Sequence, residues 1–146
     1  MKLKIEKIVS VYTILKDAKL TKMESADKFK VIKAIRPMQP IAEEWNNFIS
    51  NVDKKLQKEN HDEIIEKAQK WQREGEKTTL SQEEKIEVNK YLIEYQKEKD
   101  ACINDELEKE EELSFDKIND SAFEKLVDSN DWKVNEILLL ASVINE

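Results

Sequence analysis

The chain opens on an alternation of apolar and charged residues. Met1, Leu3 and Ile5 are apolar while Lys2, Lys4 and Glu6 are charged. That is the period of two expected of a half-buried strand, whose successive side chains point to opposite faces. The period then changes. Ile8, Val11, Tyr12 and Leu15 follow helical spacing and predict a first helix over about Glu6 to Ala18. Thr21 and Glu24 have capping-box spacing and open a second helix, with Ala26, Phe29, Ile32 and Ile35 as its apolar positions.

That helix meets Arg36-Pro37-Met38-Gln39-Pro40. Each proline lacks an N–H and costs about 3 kcal/mol in a helix interior, which predicts a kink or a break. Beyond it Ile41, Trp45, Phe48, Val52 and Leu56 form the clearest apolar stripe, with Trp45 and Phe48 as core anchors. Asn60 and Glu63 either cap another helix, with Ile64, Ala68 and Trp71 on one face, or lie inside an uninterrupted helix from Pro40 to Glu74. Gly75 is placed to terminate either one. Ser81 and Glu84 form a further capping box. Val88, Leu92, Tyr95 and Cys102 then predict a long helix folding back as a hairpin, with Cys102 as a small buried hydrophobe.

Asp105 to Phe115 contains six acids and one lysine, with Leu107, Leu113 and Phe115 at odd positions and Glu108, Glu110 and Glu112 at even ones. This strand alternation predicts a two-stranded ribbon with the N-terminal strand, placing Lys2 and Lys4 near Glu110 and Glu112. Two short helices follow, around Ser121 to Val127 and Val134 to Ile144. Leu138, Leu139 and Leu140 cannot all face one side, so the last helix is either deeply buried or partly an interface. The expected fold is mainly α, a helical hairpin or bundle with a small antiparallel β ribbon joining the N-terminal and C-terminal regions. One domain over residues 1–146, with a single core, is expected.

Composition narrows the function classes. There is one glycine and two prolines in 146 residues, which disfavours phosphate loops, dinucleotide turns and nucleophile elbows. Charged residues reach 39%, but so do hydrophobic ones, in a periodic pattern that fits a folded chain. Lys2, Lys4 and Lys7 before an apolar stretch imitate a signal peptide. That stretch spans only Ile8 to Leu15 and lacks a small-residue cleavage site. The apolar run Ile137 to Ile144 is far short of the roughly 20 residues that cross a bilayer. No membrane role is expected.

Residues 1–60 hold 13 Lys/Arg against 8 Asp/Glu, and residues 61–146 hold 12 against 24. Such opposite signs mark either a nucleic-acid surface on the basic half or two halves that pack on each other with complementary fields. The seven basic residues from Lys16 to Arg36 are mostly lysines, interleaved with the apolar face and interrupted by Asp17, Glu24 and Asp27. A solvated surface is therefore favoured over nucleic acid. His61 has no nucleophile or oxyanion donors beside it in sequence, and the lone Cys102 no histidine. No catalytic residue, metal site or cofactor is expected.

The ends of the chain resemble a family of small proteins of tailed bacteriophages and prophages, encoded near tail and lysis genes. The residues that carry the likeness are Met1-Lys2-Leu3-Lys4-Ile5 leading into Ile8, Tyr12 and Leu15, then Leu20-Thr21-Lys22. At the other end they are Leu113-Ser114-Phe115, Trp132-Lys133-Val134 and Ile137 to Ile144. Pro37 and Pro40 depart from the plain helix expected there. The resemblance implies a non-enzymatic, virion-associated or assembly-assisting protein in the cytoplasm of a bacterial host, with a protein partner or a second copy. The expected contact residues are Trp132, Ile137, Leu138, Leu139 and Leu140, together with Glu108, Glu110 and Glu112. A rival reading makes those acids a phosphate mimic that occupies a host nucleic-acid-binding factor.

Overall fold

A computed structural model describes all residues, Met1–Glu146. Strand β1 (Lys2–Lys4) runs directly into α1 (Ile5–Leu15). It is followed by α2 (Ser25–Leu56), α3 (His61–Glu74), a 3₁₀ turn over Gly75–Lys77, α4 (Gln82–Leu107), β2 (Glu110–Glu112), α5 (Asp120–Asp128) and α6 (Val134–Ile144). The fold is mainly α, with one two-stranded antiparallel sheet. Where the sequence predicts a single core, the chain forms two compact units, and the buried residues gather in two clusters.

The first unit comprises Met1–Asn47 and Leu107–Glu146. Its ribbon pairs Lys2 with Glu112, Leu3 with Glu111 and Lys4 with Glu110, so Lys2 and Lys4 do face Glu112 and Glu110. The acidic strand is shorter than its alternation implies, because α4 continues through Leu107. Beneath the ribbon, Leu3 joins Ile8, Val11 and Leu15 of α1, Val31, Ala34 and Met38 of α2, Phe123 and Leu126 of α5, and Leu140, Val143 and Ile144 of α6. A parallel bridge between Ile118 and Asn145 ties the chain's end to the segment before α5. The turn between α1 and α2 is held by Asn130, whose side chain accepts the Lys19 N–H and donates to the Lys19 carbonyl, both at 2.8 Å.

Two expectations for α2 are corrected. The helix starts at Ser25, after a turn in which the Met23 N–H donates to the Leu20 carbonyl, and the Glu24 carboxylate meets Lys125 at 3.5 Å. Burial of Met23 in the core sets that turn, which displaces the Thr21–Glu24 capping box. Its buried face is Val31, Ala34, Met38 and Ala42, while Ala26, Phe29 and Ile32 are exposed. Of the kink or break expected at the prolines, the break does not occur: Pro37 and Pro40 both lie inside the helix. The carbonyls that lose a donor belong to Lys33 and Arg36, residues on the exposed side, where water can satisfy them.

The second unit, Phe48–Glu106, contains the last turns of α2, a break at Gln57–Asn60, α3 and most of α4. Gly75 ends α3 at φ 58°, with its N–H donating to the Trp71 carbonyl, a conformation that side chains with a Cβ rarely adopt. The Ser81–Glu84 capping box forms reciprocally at 3.1 and 3.2 Å and starts α4. α4 then runs antiparallel to α3. Lys67 of α3 faces Glu84 and Glu87, Lys85 lies over the Trp71 ring, and His61 lies beside Tyr91. Ile64, Val88 and Tyr91 form the buried centre of this hairpin. Cys102 is exposed, not the buried hydrophobe the stripe predicts.

The charge asymmetry of the two halves of the sequence disappears in the fold. The first unit holds 14 Lys/Arg against 17 Asp/Glu and the second 11 against 15, giving −3 and −4. Each unit is built from both basic and acidic stretches, so the asymmetry between the halves of the sequence does not become a difference in sign between the units.

Candidate functional site

Helix α6 separates its three consecutive leucines. Successive residues on a helix are about 100° apart, so Leu138 and Leu140 point to opposite sides. Leu140 is fully buried beside Val143 and Ile144. Trp132, Ile137 and Leu139 are half-buried and pack against the same core. The Glu136 carboxylate accepts the Lys133 N–H at 3.1 Å at the helix start. That leaves Leu138, 65% exposed, and Val134, 73% exposed and one turn earlier on the same face. Of the predicted apolar contact set, Leu140 belongs to the core, three residues serve mainly as its rim, and only Leu138 is freely presented. Val134 was not among the contact residues the sequence suggested, although its spacing of four from Leu138 was available as a signal.

The predicted acidic contact residues lie together along the ribbon. All of β2 is exposed, but the strip is partly neutralised. Glu112 meets the Met1 ammonium at 2.8 Å and Glu108 meets Lys4 Nζ at 2.6 Å. The hydrogen bond and charge of Glu108 raise the Lys4 pKa. A phosphate mimic needs bare charge, so these pairings weaken that reading. Three of the seven basic side chains from Lys16 to Arg36 are also engaged. Lys33 Nζ and Arg36 Cζ lie 4.8 and 5.8 Å from the centroid of Phe29, which is 49% exposed, and Lys22 Nζ donates to the Asp128 carbonyl.

The second unit contains a polar network that the sequence did not announce. The Tyr91 hydroxyl lies 2.7 Å from His61 Nδ1 and accepts the Lys58 N–H at 3.4 Å. The Tyr95 hydroxyl donates to Asp53 Oδ1 at 2.9 Å, and Lys99 Nζ meets the same oxygen at 2.8 Å. The His61 ring sits 5.7 and 5.5 Å from Tyr91 and Tyr95, which stack on each other. His61 is thus half-buried against two tyrosines. The network joins the end of α2, the start of α3 and the middle of α4, and its geometry is that of a structural clasp.

Hydrogen bonds from Lys99 and Tyr95 hold the Asp53 carboxyl below its usual 3.8. A depressed carboxyl contributes stability that is complete above its unfolded value and is lost as pH falls through the folded one. We therefore expect the stability difference between the wild type and Asp53→Asn to be present at neutral pH and to close below 3.8. Urea unfolding across an acid pH series measures this. The gap should be small because Asp53 is partly solvated, and a gap that widens on acidification would contradict the clasp.

No helix is long and apolar enough to cross a membrane. By class the molecule is a mainly α protein whose two helical units each present a few exposed apolar side chains, with a charged ribbon on the first. Comparison with protein families, curated proteins and solved structures returned no match in any of the three.

Proposed function

We propose that this chain is a non-enzymatic interaction protein that docks on a partner protein through the outward face of α6. The observation that carries the reading is the pair Val134 and Leu138, one helical turn apart and among the most exposed large apolar side chains of the molecule. Single exposed apolar residues are ordinary, but an aligned pair on a helix whose opposite face is core makes a compact anchor. The likeness of the chain's ends to proteins of tailed phages extends the proposal. The partner is then a component of the particle or of its assembly, and the protein acts in the host cytoplasm or on the virion.

The test is a tagged pull-down with mass spectrometry from cells producing the phage and from uninfected cells, comparing the wild type with Val134→Glu/Leu138→Glu. Both substitutions lie on the solvent face and should change stability by no more than about 0.5 kcal/mol. Virion proteins recovered by the wild type, and depleted at least about tenfold by the double variant, are the expected result. Recovery of a host nuclease or polymerase from both cell types, unaffected by the variant, would instead favour the anti-defence reading.

A further inference from the structure

We infer that the free edge of β1 accepts an extended segment of a partner protein as a third strand, with acidic residues opposite Lys2 and Lys4 and an apolar residue between them. This is a different surface from the α6 face and does not rest on it.

The backbone pattern leads to the site. In the antiparallel ribbon the Met1 carbonyl accepts the Leu113 N–H and the Ile5 N–H donates to the Lys109 carbonyl, both at 2.8 Å, with Leu3 opposite Glu111 between them. Bonding alternates along such a strand, so the odd-numbered residues of β1 face β2 and the even-numbered ones face away. The Lys2 N–H and C=O and the Lys4 N–H therefore point out of the sheet, where no third strand lies. The Lys4 carbonyl is committed to α1, because Lys4 is its N-cap. Three unpaired backbone groups in strand geometry are a template for strand addition.

The surroundings choose the occupant. An open cleft of about 550 Å³ lies along β1, bordered by Lys7 and Ser10 of α1 and by Leu139 of α6, with Leu3 also lining it. Residues opposite Lys2 and Lys4 on an added strand project to the lysine side of the sheet, and the residue between them projects to the Leu3 side. Opposite charges directly across strands are favourable, and like charges are not. Glu112 lies opposite Lys2 in the ribbon but its carboxylate pairs with the Met1 ammonium, and neither Lys2 nor Lys7 has an ion pair of the kind that joins Lys4 to Glu108. Glu6 and Glu110 also line the cleft and act on Lys4, so the acidic residue opposite Lys2 contributes more than the one opposite Lys4. The edge of β2 has the same free backbone pattern but presents only glutamates, with no residue of that strand buried. The partner segment is thus of acidic–apolar–acidic type and belongs on β1.

A titration of the ¹⁵N-labelled protein with an eight-residue peptide centred on Glu-Leu-Glu, at low salt, tests this. Saturable shifts of the Lys2 and Lys4 amides are expected. Lys4 already has φ −65°, the angle proline imposes, so Lys4→Pro removes the outward N–H without demanding a new backbone shape. It should weaken binding at least about tenfold, as should N-methylation of both peptide glutamates, whereas Lys4→Ala keeps the N–H and should lose less. If Lys4→Pro does not fold, the N-methylated peptide decides. No shifts at about 1 mM peptide, shifts confined to α6, or equal binding by Lys4→Pro would each overturn the inference. So would self-association of the wild type that Lys4→Pro abolishes, since the edge would then belong to a second copy.

Discussion

Leu140→Ala is expected to lower the unfolding free energy by about 3 kcal/mol, while Leu138→Ala changes it by no more than about 0.5 kcal/mol. The two leucines are separated by one residue and differ only in the face they occupy. Leu140 is fully buried in the core cluster of the first unit, whose other side chains come from several helices and so cannot close readily over a cavity. Truncation there removes the transfer energy of the side chain and leaves a void that neighbouring atoms fill only in part. Leu138, 65% exposed, has little contact to lose. Urea unfolding followed by circular dichroism measures both. Similar losses at the two positions would mean that α6 is rotated from the orientation described, and the α6 docking face would fall with it.

Features encoded by neighbouring residues were legible in the sequence. The bounds of α6, the Ser81–Glu84 capping box and the positive φ at Gly75 each rest on a few adjacent side chains. The ribbon was legible too, though its strands are far apart in the chain, because alternation fixes which residues can share a face. The buried face of α2 is hidden for a different reason. Ala26, Phe29, Ile32 and Ile35 are spaced by three throughout, and each such step slips about 60° around a helix. Over three steps the set crosses to the opposite side. Val31, Ala34, Met38 and Ala42, spaced by three, four and four, stay on one face, and the core uses that face although its side chains are smaller.

Length explains the exposure of Cys102. α3 has 14 residues and α4 has 26, which at 1.5 Å per residue gives lengths of about 21 and 39 Å. α3 begins at His61, beside Tyr91 and Tyr95, so the turns of α4 that follow extend past it. The apolar stripe in the sequence continued beyond the helix available to cover it. The Asp53–Tyr95 and His61–Tyr91 contacts were hidden for a related reason: they link residues 42 and 30 positions apart, and no periodicity reports which polar side chains a hairpin will bring together. The candidate α6 face was half legible. Its hydrophobicity was plain from sequence, but only the packing of the opposite side shows that Val134 and Leu138 are the pair left outside.

Pro37→Ala and Pro40→Ala are each expected to stabilise the protein, by about 1–2 kcal/mol. In an unbroken helix each proline forfeits the hydrogen bond to the carbonyl four residues earlier and crowds it, a cost of about 3 kcal/mol relative to alanine. Restoring the N–H recovers much of that. Part is offset because alanine gives the unfolded chain more freedom, worth about 0.4–1 kcal/mol. The helix survives its prolines because Ala34, Met38 and Ala42 are buried while Lys33 and Arg36, whose carbonyls lose their donors, are exposed. Core packing outweighs the local defect. The two gains should combine less than additively, since the prolines are one turn apart. Urea midpoints of the single and double variants measure the effect. A loss of stability in both single variants would mean that the backbone around Met38 is shaped by its prolines, and that the packing of Met38 depends on a local geometry alanine does not hold.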